Sequence, residues 1–573
     1  MSAAAVMMII NSLFLILGGI VVFMLGMDMM GSNLEKAAGK NIRKLMGKAA
    51  KNRFTGVGTG AAVTALVNSS AATTVMIVGF VNVGLMTLTQ AASVIMGANI
   101  GTTISAFIMA LSSAGGSYFS VTAIFALIAF AGFVVTLVSK NDKIKRIGNI
   151  LEGVGVIFIG LNVMSGAVSS MLSNEEISGA VQSVFIGIGY GKDTLTWEII
   201  VLFLLGVVLT ALMQSSAALT AIVISLASQN LITLQMAMCI ILGANVGTCL
   251  TSLISSVGAT VNAKRAAAVH LLFNVAGCII FIFPVAFAGK YIAQFLNGII
   301  ANTQWQIAIF HMFFNIVTTL LLLPFLKWLV KLACLLVPDK KGKETVAESG
   351  EILDERLLKT PAIAVGQARK EILRMGNLAF ANYKRALDML LTGNLDGKEK
   401  FDETENQINS LNKYITQFLI KLSSQEISET DERKVSSFYH VTSDMERIGD
   451  YAENITEYAQ RMVELNATFS EHAVEEIRRM DLHLSELYKN VELAFANHDL
   501  KYMPQIEREE DATDNMCKTM QQSHIRRTDE GRCTPEAGAV YLQLAVNMER
   551  IGDHMYNIAN SQRIYVEGGG KGL

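Results

Sequence analysis

The chain has 573 residues, 51% of them apolar, a mean hydropathy of +0.41 and a net charge of −2. That length exceeds one typical domain, that apolarity is high for a soluble globule, and the near-neutral balance gives no footing for a nucleic-acid partner. The balance conceals a split: up to Leu335 there are 8 acidic residues against 17 Lys and Arg, leaving 41 against 30 beyond it. A basic, apolar part followed by an acidic, polar part reads as a membrane domain and then a soluble one. The 6 cysteines show neither C-x-x-C nor zinc spacing and read as reduced, isolated thiols.

The first apolar run, Val6 to Met30, lacks a basic flank in front of it and reads as a retained membrane helix. Lys36, Lys40, Arg43, Lys44, Lys48, Lys51 and Arg53 follow it. Further basic clusters stand at Lys140–Arg146, Lys264–Arg265 and Lys327–Lys331. By the positive-inside rule all four lie in the cytoplasm, and the stretch around Asn174, Glu175 and Glu176 faces outward. Three apolar segments, Val57–Phe80, Leu88–Leu111 and Val121–Val138, lie between two cytoplasmic clusters. An odd number of crossings cannot return to the same side, so one segment must enter and leave on one face. Val57–Phe80 is that segment, because its centre holds Asn68, Ser69, Ser70, Thr73 and Thr74. Such polarity is tolerated at membrane depth only along a protein-walled cavity. The same parity singles out Leu202–Leu226, centred on Gln214, Ser215, Ser216 and Thr220.

The two segments repeat one another. T-A-L-V-N-S-S-A-A-T-T from Thr64 aligns with T-A-L-M-Q-S-S-A-A-L-T from Thr210, and G-A-N-I-G-T from Gly97 with G-A-N-V-G-T from Gly243, giving 18 identities in 40 ungapped positions. Each unit opens on a glycine-spaced helix, with Gly19, Phe23 and Gly26 in one and Gly155, Phe158 and Gly160 in the other. The first opening helix runs inward and the second outward, so the units are inverted, as in secondary transporters that bind at the repeat interface. Small-residue packing is the rival account of each cluster alone. Helix N-termini, hydroxyls and the Asn68 and Gln214 amides suit an anion. The oxygens of Thr73, Thr74, Asn99, Thr102, Thr220, Asn245 and Thr248 suit a small cation such as Na⁺. No nucleophile with a base is apparent, so an enzyme is not expected. H-L-L-F-N at His270–Asn274 and H-M-F-F-N at His311–Asn315 read as interhelical polar clasps, and Asp28 as a solvated or snorkelling acid.

The paired N/Q-S-S-A-x-x-T and G-A-N-[IV]-G-T motifs resemble those of the type II sodium–phosphate cotransporter family, over roughly Leu17 to Pro338. The family's repeated Q-S-S-S element falls on Asn68-Ser69-Ser70-Ala71 and Gln214-Ser215-Ser216-Ala217, with Asn for the first Gln and Ala for both last serines. The resemblance implies phosphate as substrate at Asn68, Ser69, Ser70, Gln214, Ser215 and Ser216, with sodium as coupling ion.

Pro338 to Thr360 is charged and reads as a linker. From Pro361 to Tyr565 helical periodicity dominates, and this part repeats as well: Asp444-Met-Glu-Arg-Ile-Gly-Asp450 matches Asn547-Met-Glu-Arg-Ile-Gly-Asp553. Glu446 and Asp450, and Glu549 and Asp553, stand at i, i+4 with Asn454 and Asn557 continuing each stripe, and the upstream partners are Glu405–Asn409 and Glu510–Asp514. Like charges at that spacing repel unless a cation intervenes, and all-oxygen ligands suit a divalent metal or iron. An ordinary solvated acidic face is the alternative. The motif E-R-I-G-D-x-x-x-N resembles the PhoU family, which implies metal ligation by Glu446, Asp450, Glu510, Asp514, Glu549 and Asp553, with Asn409 weakening the first bundle.

The expectation is an all-α polytopic membrane protein with inverted repeats and two re-entrant hairpins, plus a soluble domain of two three-helix bundles. Its parts are a membrane domain at 1–337 with repeats at about 8–138 and 150–333, a linker at 338–360, a cytoplasmic PhoU-like domain at 361–566 and a Gly-rich tail at 567–573. It would act as a sodium-coupled phosphate carrier in a bacterial inner membrane. The alternatives are a membrane-anchored phosphate sensor and a carrier of another small oxyanion. Partners would be phosphate, sodium, the lipid bilayer and, at the PhoU-like domain, a second copy or a signalling protein.

Overall fold

A computed structural model describes residues 2–49, 52–82, 84–113, 121–191, 197–338, 353–359, 361–425, 427–497 and 499–567. The charged stretch at 339–352 and the tail from 568 lie outside the described residues. The chain forms two compact units, Met1–Lys359 and Thr360–Leu573, and every regular element described is helical.

In the first unit, seven stretches are long and apolar enough to cross a bilayer: Ala3–Ala37, Leu88–Ala110, Val121–Val138, Asp142–Leu172, Leu234–Ser255, Val261–Ile299 and Thr303–Leu336. The elements that build the site are α1 (Ala3–Ala49), α2 (Arg53–Val67), α3 (Ser70–Asn82), α4 (Leu88–Thr102), α5 (Ile104–Ala110), α6 (Val121–Val138), α7 (Asp142–Leu172), α8 (Glu175–Gly187), α9 (Trp197–Met213), α10 (Ser216–Ser228) and α11 (Leu234–Ser255). They are followed by α12 (Val261–Ile299), α13 (Thr303–Leu322) and α14 (Leu326–Leu336).

Glycine contacts fix the direction of each helix. Gly60 abuts the Val94 carbonyl, Gly97 the Val57 carbonyl and Gly101 the Ala61 carbonyl, so α2 and α4 run parallel. The end of α3 lies just ahead of the Thr87 cap that starts α4. α3 therefore returns to the end where α2 began, and the pair is a hairpin. Gly206 against Ile240, Gly243 against Phe203 and Gly247 against Val207 make α9 parallel to α11, so α9 and α10 form the second hairpin. Only glycine permits such backbone approach, because a Cβ at any of these positions would overlap a carbonyl.

The opening helices cross in the opposite sense. Gly19 faces Gly160 and Gly26 faces Gly153, so α1 and α7 are antiparallel, as inverted repeats require. The glycine that matches Gly19 is thus Gly153 rather than Gly155, which packs against Phe125 and Ala129 of α6. Ser2 donates from both its backbone N–H and its hydroxyl to Glu176, placing the start of α1 beside the end of α7.

Three local features depart from the sequence reading. First, residues 353–359, the last part of the stretch read as a linker, pack on α3: Asn82 Nδ2 donates to Asp354 Oδ2 at 2.8 Å, and Leu353 and Leu357 are buried. Second, Asn274 and Asn315 each donate to a carbonyl one turn back in their own helix, at His270 and His311. At the first motif two further bonds cross to α11, between His270 Nδ1 and Ser252 Oγ at 3.0 Å and from Asn274 Nδ2 to Cys249 Sγ at 3.4 Å, so only the second motif departs from the interhelical clasp. Third, α4 breaks at Thr103 after its Gly-Ala-Asn-Ile-Gly-Thr motif, whereas α11 runs on unbroken through the second copy.

The second unit consists of α15 (Pro361–Thr392), α16 (Lys398–Ser423), α17 (Glu429–Glu464), α18 (Glu471–Asn497), α19 (Met503–Asp529) and α20 (Pro535–Glu567). Each successive three make a bundle. On α17 the buried positions Val435, Phe438, Val441, Met445, Ile448, Ala452 and Ile455 recur every three or four residues, the stripe that docks a helix on its neighbours. The bundles join along α17 and α20, where Tyr458 accepts from Asn547 and His554 meets Asp444.

Candidate functional site

Both hairpins turn in the same way. Asn68 and Gln214 adopt left-handed backbone, with φ of 55° and 52°. The next residue caps the return helix: Ser69 Oγ accepts from Ala72 N and Ser215 Oγ from Ala218 N, each at 3.1 Å. The first N–H groups of α3 and α10, at Ser70, Ala71, Ser216 and Ala217, precede any intrahelical bond and carry the positive end of each helix dipole. Ser70 and Ser216 are 6% and 8% exposed, and among the described residues neither hydroxyl has a hydrogen-bond partner.

All six residues singled out for phosphate line one cavity of about 300 Å³. Thr102 and Thr248 line it too, their hydroxyls donating one turn back to Ala98 and Ala244 and leaving oxygen lone pairs available. The other residues singled out for a cation do not reach it. Thr73, Thr74 and Thr220 bond to the carbonyls of Ser69, Ser70 and Ser216. Asn99 and Asn245 bond to those of Ile95 and Ile241.

The two tips are not equivalent. Asn68 is buried, accepts from Ser105 Oγ at 2.9 Å and directs its Nδ2 at the Met27 sulfur, whereas the Gln214 side chain is exposed in the cavity and bonds to none of the described residues. Ser105 comes from α5, turned inward by the break at Thr103. α1 forms the remaining wall, and it brings Asp28 and Glu35 into the cavity. From sequence alone Asp28 reads as a solvated or snorkelling acid, and neither Glu35 nor Ser105 stands out. The available signal was the spacing of seven that puts Asp28 and Glu35 on one helix face. Among the described residues, no Lys or Arg lines the cavity.

In the second unit, single carboxylate oxygens of Glu510, Asp514 and Asp553 lie within 4.8 Å of one another. Partial burial and then the neighbouring Asp514 raise the Glu510 carboxyl above its ordinary range; burial and then Asp553 raise Glu549; Asp553 is raised likewise by burial. A hard divalent cation would relieve that repulsion, and the all-oxygen donor set fits one. The described residues of the first bundle hold no such trio. Asn409 is exposed and Glu405 is buried with both oxygens unpartnered, while Asp450 pairs with Arg447 just as Asp553 does with Arg550, each at 3.3 Å.

Residues 22–166 and 193–301 match the family described as Na+/Pi-cotransporter, and residues 372–459 and 471–561 match the PhoU domain. YjbB of Escherichia coli (strain K12), described as a candidate inorganic phosphate export protein, is 23% identical over 551 residues, which cover 95% of this chain and 96% of that one. A PhoU homolog of Xylella fastidiosa (strain 9a5c), described as a phosphate-specific transport system accessory protein, is 25% identical over 200 residues, covering 35% of this chain and 83% of that one. The crystal structure of PhoU from Streptococcus pneumoniae, a phosphate transport system regulatory protein, aligns with a TM-score of 0.34 at 20% identity, covering 37% of this chain and all of that one.

Proposed function

We propose that the chain, which matches the Na+/Pi-cotransporter family over residues 22–166 and 193–301 and the PhoU domain behind them, is a secondary carrier of inorganic phosphate, coupled to sodium and regulated by its PhoU domain. The observation that carries the reading is the meeting of two hairpin tips, from oppositely oriented repeats, in one cavity lined by Asn68, Ser69, Ser70, Gln214, Ser215 and Ser216. Phosphate would sit between the tips. Two helix N-termini would face it, the Ser70 and Ser216 hydroxyls would donate to it, and the Gln214 amide would close over it.

The charge of the cavity supports the coupling. A phosphate anion beside Asp28 and Glu35, in a cavity that no described Lys or Arg lines, would be disfavoured alone. Cations entering with it offset that repulsion. Each ligand then raises the affinity of the other by the same factor. Net direction follows from the sodium and phosphate gradients, since one site serves both.

The PhoU domain would lie in the cytoplasm of a bacterial inner membrane and hold its metal more tightly at Glu510, Asp514, Glu549 and Asp553 than at Glu446 and Asp450. A second copy or a signalling protein would meet this domain. The rival reading is an anchored phosphate sensor, whose membrane part binds phosphate without moving it; a membrane part that served only as an anchor would leave the hairpin donors without a task. Radiolabelled phosphate flux into proteoliposomes containing only the purified protein separates the two. Sodium-gradient-driven flux is expected; binding without flux under any gradient would establish the sensor instead.

A further inference from the structure

At one end of the second bundle, away from the acidic stripe, the starts of α18 and α20 converge on the end of α19 around a cavity of about 380 Å³. Glu510 and Arg527 are separated by about 25 Å along α19, so the two places are distinct. Ser470 caps α18 by accepting from Ala473 N, and Thr534 caps α20 by accepting from Ala537 N. Both caps line the cavity, so the positive ends of helices of 27 and 33 residues meet there.

Two guanidiniums also line it. Arg527, 7% exposed, stacks on the Tyr541 ring and bonds to Glu476 through Nη1 at 2.6 Å, while its buried Nε has no partner. Arg532 follows a left-handed turn at Gly531 and is largely exposed, its nearest acid being Glu530 at 3.4 Å. Glu476 neutralises much of the Arg527 charge from behind, in concert with the Tyr541 hydroxyl. Among the described residues, no Asp or Glu lines the cavity itself.

We propose that this cavity binds a phosphoryl group, carried by free phosphate or by a nucleotide, as a ligand site of the soluble domain separate from both the transport cavity and the acidic stripe. Two helix N-termini, hydroxyl caps and a fork-shaped guanidinium make up the donor set that recognises such a group.

Cys533 lies in the cavity wall and is partly exposed, so its alkylation reports on this site alone. The purified full-length protein is treated with iodoacetamide at constant ionic strength, and the Cys533 and Cys334 peptides are quantified by mass spectrometry. Inorganic phosphate and ATP are tested in separate arms against chloride. At about ten times Kd a ligand slows Cys533 alkylation about tenfold, leaving Cys334 unchanged. Protection by phosphate assigns the free anion, and protection by ATP alone assigns a nucleotide. Arg532→Ala, an exposed change, is expected to abolish protection with an unaltered melting profile, and Arg527→Lys to weaken it. Unprotected Cys533 in every arm with folded wild type, or equal protection in Arg532→Ala, overturns the proposal.

Discussion

Asn68 and Gln214 hold the same left-handed backbone at corresponding points of the two hairpins, 146 residues apart in the chain. Residues with a Cβ seldom adopt that conformation, and it costs each of them about 1 kcal/mol or more. Glycine would relieve the strain at either place. Two amide side chains in its stead suggest that the side chain itself has a task.

Gln214→Gly separates the two roles. It keeps the turn, removes strain and deletes the amide, so thermal stability should hold or rise. Phosphate affinity should fall about ten- to a hundredfold, the loss of one donor to a buried charged ligand at about 1.5–3 kcal/mol. Ser215→Ala should weaken binding comparably. Asn68→Gln should be milder, because the Asn68 amide is already committed to Ser105 and Met27. Calorimetric titration at matched sodium decides it. Wild-type affinity in folded Gln214→Gly and Ser215→Ala would make the hairpins packing elements.

Orientation is testable in intact cells with single cysteines in a background lacking Cys334 and Cys533. The antiparallel pairing of α1 with α7 and the contact of Ser2 with Glu176 put the α7–α8 junction on the N-terminal side. Ser173→Cys should react with an impermeant maleimide and Lys140→Cys only after permeabilisation. The reverse pattern would turn the whole unit over and place the PhoU domain outside.

Packing of the first hairpin makes a separate prediction. A Cβ on Gly97 would overlap the Val57 carbonyl, and backbone cannot yield as a side chain can. Gly97→Ala should destabilise the detergent-solubilised protein by about 1–3 kcal/mol or prevent folding. Gly18→Ala is the control, since nothing lies within 4 Å of that position, and it should stabilise α1 slightly. Equal melting of the two variants would remove the close-packing account.

The hairpins were legible because a polar run inside an apolar segment violates a strong rule and parity then leaves it one place to go. The repeat made the second copy confirm the first. The ring of cation oxygens was less legible. A Thr hydroxyl in a helix folds back on the carbonyl one turn earlier, so Thr73, Thr74 and Thr220 face their own helices whatever their spacing suggests. Glu35 and Ser105 escaped for another reason. Their roles depend on which face of α1 turns inward and on the break at Thr103, and both are settled by packing rather than by local pattern. Gly153 is hidden in the sequence behind Gly155, which stands two residues nearer to Phe158 but contacts α6.

The soluble unit should respond to pH and metal in linked ways. Burial, with Glu453 and Asp450 nearby, pushes the Glu405 carboxyl up to about 7, and the stripe carboxyls are raised as well. A carboxyl that holds its proton more tightly when folded favours the native state below its unfolded value of about 4.5, and that advantage is lost as pH rises through its folded value. Metal-free protein should therefore show less hydrogen-exchange protection over residues 398–464 at about pH 8 than at about pH 5, once intrinsic rates are corrected. Glu405→Gln should flatten the trend. Manganese should restore protection in the second bundle, and Glu549→Ala/Asp553→Ala should abolish that restoration and lower bound metal. Equal metal content in wild type and double variant would return the stripe to an ordinary solvated face.

Asp28 and Glu35 bear on the coupling mechanism. They stand about 10 Å apart along one face of α1, both in the cavity that holds the hairpin tips. If they hold or attract the coupling cation, Asp28→Asn and Glu35→Gln should lower apparent sodium affinity about tenfold each, the equivalent of about 1.4 kcal/mol. At saturating sodium, phosphate affinity should stay near wild type, because no phosphate donor has been removed. At low sodium the outcome divides. Loss of cation binding weakens phosphate through reciprocal coupling, whereas relief of repulsion strengthens it. The first effect dominates if the carboxylates are ligands, and the second if they only repel the anion. The double variant measured across a sodium series decides between them. A sodium dependence unchanged from wild type would remove both residues from the coupling and leave Thr102 and Thr248, the candidate cation oxygens in the cavity, to account for it.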